Sequence, residues 1–194
     1  MRTISLLTLL LLGSSAGCVA ISEPSEADWE TKGADAIKDG DYANANSVSI
    51  SSGEQTTEKG LHTLSGDAIA ADVIAYGGSA RAGNVPGGNA FVVDPGFLSY
   101  TATPIEITVV VRRNPANDNA GFKLVYESVD GYKSLGWYTV PDNKEWHTVS
   151  WKINDPQFVS MWGYNFALES DGNQYNKYYL RSVTVTKLAK ASAR

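Results

Sequence analysis

From Gly60 onward, apolar and polar residues alternate with a period of two, in short runs broken by turn signals every eight to twelve residues. The run IEITVVV sets Ile105, Ile107, Val109 and Val111 on one face, with Glu106 and Thr108 on the other. FKLVYE opposes Phe122, Leu124 and Tyr126 to Lys123, Val125 and Glu127, and HTVSWKI groups His147, Val149, Trp151 and Ile153. NFALE adds Phe166 and Leu168, and VTVTK adds Val183 and Val185. Between the runs stand NPANDNAG (114–121), Asp130-Gly131, Pro141–Lys144 and Asp171-Gly172-Asn173, which are turn compositions. No segment carries a helical period. The expectation is an all-β fold, an antiparallel two-sheet β-sandwich of jelly-roll type with about eight strands. In the last strand, Tyr178 and Leu180 have the opposite parity to Val183 and Val185, which predicts a bulge near Arg181-Ser182.

The N-terminus reads differently. Arg2 precedes an apolar run, Ile4 to Leu12, and small residues follow from Gly13 to Gly17. The run is too short for a permanent span and has the three regions of a secretory signal, assigned to 1–17. Cys18 is the sole cysteine, so no internal disulfide can staple the fold. Ser15-Ala16-Gly17-Cys18 resembles the lipobox of bacterial lipoproteins, although Ser15 stands where Leu or Val is usual. Lipid attachment at Cys18 is favoured, and ordinary cleavage, after Ala20, stays open. The expected location is secreted, or the cell envelope as a lipoprotein.

Charge then divides the remainder. Residues 21–57 hold eight carboxylates against Lys32 and Lys38, whereas 58–194 hold thirteen acids and thirteen bases, within a net charge of -5. The acidic, small-residue segment cannot bury enough apolar surface to offset its ordering entropy, so 18–57 is read as a flexible stalk, with Trp29 isolated in it. Val48-Ser49-Ile50-Ser51 alternates within that stalk and could add a short strand. The sandwich is assigned to 58–188 and a tail to 189–194. A neutral body offers no basic track for nucleic acid and no charge for an anionic membrane, leaving lipid on Cys18 as the one membrane contact.

The strings GLHTLSGDAIAADVIAYGGSARAG, NAFVVDPGFLSY, PIEITVVV, FKLVYESVDGYKS, EWHTVSWKINDPQF, GYNFALES and YYLRSVTVTKL follow in order. Together they resemble the galactose-binding-domain-like jelly-roll modules that accompany glycoside hydrolases and related polysaccharide-active enzymes. The resemblance spans about Glu58 to Leu188. It rests on Asp94…Phe97, Tyr132-Lys133, Trp146, Asp155…Phe158 and the terminal strand. It implies a sandwich, a carbohydrate partner and, in many such modules, a structural calcium, here without assigned ligands. Where these modules tend to carry Asp-Phe-Arg, this chain has Asn165-Phe166-Ala167. They also usually ride on a catalytic domain, and no stretch here reads as one.

Rings decide the functional expectation. Trp151 shares the face of Val149 and Ile153 and belongs to the core. Trp146, at a strand start, is a packing residue whose indole N–H needs a turn carbonyl. In Trp137-Tyr138 one ring must face away from the core, because neighbours on a strand point oppositely. Trp162 and Tyr164 lie in a loop, and Tyr175 follows a turn. Trp137, Tyr138, Trp162, Tyr164 and Tyr175 are therefore the candidate carbohydrate-binding residues. A pyranose offers an apolar face to a ring and a rim of hydroxyls to amides and carboxylates.

Catalytic signals are weaker. No HExxH, GxSxG or paired-cysteine pattern occurs. His147 reads as a satisfied turn or core histidine. Asp94 with Glu127 and Asp155 with Glu169 are the carboxylate pairs that glycoside hydrolysis would need, and Tyr132-Lys133 is the alternative catalytic couple. Asn114, Asn117, Asp118 and Asn119 carry oxygens for a cation but read more simply as a polar loop. The expectation is a monomeric, exported, non-catalytic module binding polysaccharide or cell-surface glycan without cofactor. The alternatives are a small polysaccharide-cleaving lyase or glycosidase and an envelope interaction protein.

Overall fold

The computed structural model describes residues 40–52, 57–63, 72–75, 78–83, 89–113, 119–143, 145–171 and 175–189. The signal, Cys18, Trp29 and most of the stalk lie outside them, as do Asn114, Asn117 and Asp118 of the polar loop. The described chain forms twelve strands. They are β1 (Ser47–Ser51), β2 (Thr57–Lys59), β3 (Leu61–Thr63), β4 (Asp72–Ala75), β5 (Gly78–Ala82) and β6 (Asn89–Val93). There follow β7 (Ile105–Arg113), β8 (Gly121–Ser128), β9 (Gly131–Thr139), β10 (His147–Ile153), β11 (Phe166–Glu169) and β12 (Tyr178–Lys187).

Two antiparallel sheets face each other. The first runs β10-β7-β12-β1-β2, with β5 also on β12 and β4 on β5; the second runs β3-β6-β11-β8-β9. From β6 to β12 the chain crosses between sheets at each connection except the β8–β9 hairpin, which is jelly-roll connectivity. The excess over eight strands comes from β2 to β5, which have three to five residues each, too few to display a period.

The alternating runs form the interior as their parity requires. Ile105, Ile107, Val109 and Val111 of the first sheet meet Phe91, Phe122, Leu124 and Phe166 of the second, all with no exposure. Phe91 and Phe166, opposite one another on β6 and β11, stack at 5.0 Å. Trp151 packs partly buried against this core, near Phe122. Pairing of β12 with β7 slips between Leu180 and Ser182, so one extra residue, Arg181, reverses the parity. Tyr178, Leu180, Val183 and Val185 all turn inward as a result.

β1 is more than an addition to a stalk. It pairs along its whole length with β12 and buries Val48 and Ile50. The sheet therefore takes in residues ahead of 58. Gly60 is the joint that carries the chain from β2 in one sheet to β3 in the other. Its φ is +65°, and a Cβ there would stand 2.7 Å from Val48 Cγ1, so a side chain is excluded twice over.

Two expectations follow for stability. Ile50→Ala should cost about 2–5 kcal/mol, read as a lowered urea midpoint. A chain starting at residue 58 should melt well below one starting at residue 40, because it uncovers the β12 edge; equal melting temperatures would remove β1 from the cooperative unit.

Candidate aromatic site on the five-stranded sheet

The outer face of the second sheet is set by the register of β8. Phe122, Leu124 and Tyr126 point inward, so Gly121, Lys123, Val125 and Glu127 point out. On β9, Tyr132 pairs with Glu127 and Ser134 with Val125, and both share the outer face. Then the register slips. Leu124 faces two residues of β9, Leu135 and Gly136, and Trp137 comes opposite Lys123. Without that bulge Trp137 would lie opposite Phe122 and enter the core. With it, Trp137 joins Tyr132 outside, 42% exposed, and Tyr138 takes the inward place against Phe122 and Trp151.

Tyr138 is thus corrected from surface ring to core-side ring. Its half-buried phenol is pushed above its ordinary pKa by burial. The other four candidates fall into two groups on the outer side. Trp162, 61% exposed, stacks on Tyr132 with ring centres 3.9 Å apart and planes at 5°, and Tyr164 stands 5.3 Å from Tyr132. Trp137 and Tyr175 meet in a T-shaped pair with ring centres 5.4 Å apart. Lys123 and Glu127, the cross-strand partners of Trp137 and Tyr132, are four residues apart on one strand, about 13 Å. Between them Ala90, Ala167 and Val125 lie in register across β6, β11 and β8, and all three are buried.

Each ring is held by its surroundings. Gly121 lies directly under Trp137, where an added Cβ would stand 2.6 Å from the indole. Gly121 N–H donates to the carbonyl of Tyr175 at 3.0 Å, which ties the second ring to the first. The Tyr132 hydroxyl donates to the carbonyl of Tyr164 in a short hydrogen bond. Burial, then the nearby Glu127 charge, pushes the Tyr132 phenol up to about 12, so it stays a donor at any physiological pH. Sequence reasoning placed Tyr132 in a catalytic couple and missed it as the base of a stack; its parity with Glu127 was the available signal.

The lysine of this face is paired with acids. Lys123 lies 3.6 Å from Glu169 and 3.8 Å from Asp171. On the opposite side of β9, Lys133 bonds Asp130 at 2.8 Å and Asp155 at 2.5 Å, and Asp155 also accepts from the Tyr126 hydroxyl at 2.9 Å. Those two acids hold Lys133 above its ordinary pKa, and Lys133 in turn holds Asp155 below the usual carboxylate value.

The catalytic alternatives do not assemble. Tyr132 and Lys133 are strand neighbours on opposite faces, and Lys133 is engaged in ion pairs. Glu127 has no exposure and takes four N–H donors, while Asp94 is buried and caps Gly96 N–H at 2.7 Å. Asp155 and Glu169 are each tied to a lysine. His147 bonds Asn143 at 2.6 Å, as a turn histidine. Trp146 packs under Arg181, 3.9 Å from its ring centre, but its indole N–H finds no acceptor among the described residues, contrary to the expected turn carbonyl. Among the described residues no group of three or more His, Cys, Asp or Glu gathers as a cation site.

Two measurements check this geometry. Gly121→Ala should leave the fold intact and displace Trp137, read as a changed near-ultraviolet circular dichroism band that Trp137→Phe abolishes. Asp155 has a lowered folded pKa, so its contribution to stability is present above the ordinary carboxylate value and fades as pH falls through the lower one. The melting-temperature gap between the wild type and Asp155→Asn should therefore be widest near neutrality and narrow once pH falls below the ordinary carboxylate value of about 3.9.

No protein-family model matches this chain, and no curated protein does. Among solved structures it is similar to the CBM22-1 xylan-binding domain of Paenibacillus barcinonensis Xyn10C, at 15% identity and a TM-score of 0.42, covering 74% of this chain and 96% of that one. It is also similar to the vertex protein P5 of PRD1, at 13% identity and a TM-score of 0.37, covering 74% and 73%. One is a sugar-binding domain and the other a viral vertex protein, so the function rests on the site.

Proposed function

We propose that this protein is an exported, non-catalytic module that binds a neutral polysaccharide on the outer face of its five-stranded sheet. The observation that carries the reading is the pairing of displayed rings. Trp162 stacks one face on Tyr132 and leaves the other to solvent, and Trp137 stands out from the same sheet, its partner on β8 about 13 Å from that of Tyr132. A stack that already buries one side of an indole orders the ring before a ligand arrives, which lowers the entropic cost of binding.

The separation suits a polymer better than a lone sugar. Two ring groups that far apart are reached together by several linked units, each with an apolar face for an indole or phenol. The pairing of Lys123 with Glu169 and Asp171 speaks for a neutral chain, since a uronate would have to displace a carboxylate from that lysine.

Export, and anchoring through a lipid on Cys18, belong to the same proposal. Labelled fatty acid should enter the wild type and not Cys18→Ala; equal labelling would end the anchored version. For binding, the full chain is run by affinity electrophoresis against neutral and uronate-bearing polymers. Trp162→Ala and Trp137→Ala should each weaken retardation by about tenfold or more, equivalent to at least 1.4 kcal/mol. Tyr138→Phe, which alters only the core side, should bind as wild type. Silence across every neutral polymer with a folded protein would sink the proposal.

A further inference from the structure

The loop that displays Trp162 has no strand to shape it, yet its backbone is held by a dense set of hydrogen bonds. Its anchor is Glu127, a carboxylate with no exposure on the outer face of β8. Glu127 Oε2 accepts the backbone N–H of Val159 at 2.7 Å and of Ser160 at 2.9 Å, and Oε1 accepts that of Met161 at 2.8 Å. Asn165 Nδ2 donates to Oε2 at 3.1 Å and to Ser160 Oγ at 3.0 Å. Main-chain bonds close the ring: Glu127 N–H to the Asn165 carbonyl at 2.9 Å, and Gln157 N–H to the Glu127 carbonyl at 3.1 Å.

Three successive N–H groups around one anion, with Ser160 at φ 55°, form a concavity of the kind that otherwise captures a phosphate or carboxylate from outside. Here the anion is the protein's own. Ser160 is not glycine, so its left-handed backbone is a strained conformation that the surrounding bonds must hold. Gly163, at φ 82°, closes the turn by donating to the Ser160 carbonyl at 2.9 Å. Met161 and Trp162 are thereby pushed to more than 60% exposure, with Trp162 set down on Tyr132, the cross-strand partner of Glu127.

We propose that Glu127 is the positioning residue of the aromatic face: a buried internal anion around which 157–165 folds, and which thereby fixes Trp162 on Tyr132. This rests on the reading of the face as a ligand site, but it is tested apart from any ligand. A carboxylate with four acceptor positions suits a ring of N–H donors. The isosteric amide does not, because its own NH2 must face one of those donors.

The experiment uses the full chain with Glu127→Gln and Glu127→Ala. Both should keep the far-ultraviolet spectrum of the sandwich and lose the near-ultraviolet signal that Trp162→Phe identifies. Proteolytic nicking within 157–165 should accelerate at least tenfold, and polysaccharide retardation should fall as far as in Trp162→Ala. Variants that keep the near-ultraviolet signal and the wild-type nicking rate overturn the proposal. Should both variants fail to fold, amide exchange in the wild type decides: Ser160 and Met161 N–H should exchange at least a hundredfold slower than an open turn, and unprotected amides overturn it. If the wild type binds no polymer, the reading of the face falls, and exchange and nicking still decide the role of Glu127.

Discussion

A strand has two faces and its side chains alternate between them, so every ring displayed or hidden here depends on where that alternation is interrupted. Among the described residues it is interrupted twice, once in each sheet. In β12 the extra residue Arg181 lets two inward pairs of opposite parity fill one core. In β9 the extra residue at Leu135-Gly136 exchanges the places of Trp137 and Tyr138. The first interruption serves the interior. The second builds the exterior, since it brings Trp137 to the side that already holds Tyr132.

The two ring groups are secured by different means. Trp137 rests on a glycine and in a T-shaped pair with Tyr175, a contact of shape alone. Trp162 depends on a buried charge, whose removal from water is tolerable only because four donors replace the solvent. Losing one partner of such an arrangement costs more than making it gains. The second group is therefore an all-or-none feature, whereas the first can yield by degrees.

Much of the sandwich was legible in the residues, because period-two runs such as 105–111 and 122–126 admit only one burial pattern. The slip at Arg181 could also be read, since Tyr178 and Leu180 conflict with Val183 and Val185 inside a single run. The slip at Gly136 could not. No conflict marks it in LGWYT, and both outcomes leave one ring outside, so sequence alone proposed Trp137 and Tyr138 together. Glu127 was equally hidden: its donors come from thirty residues downstream, and a carboxylate on the polar face of an alternating strand looks like a solvated one. β1 lay within an acidic segment whose average composition masked two buried side chains.

Among the described residues β9 ends its sheet, with β8 as its sole partner. A border strand of nine residues offers unpaired amides to any passing chain, and a flat one would seed polymerisation. The kink at Leu135-Gly136 breaks that row in the middle and twists its two halves out of line. The single inserted residue that turns an indole toward water thus also keeps neighbouring molecules from zipping onto the same rim.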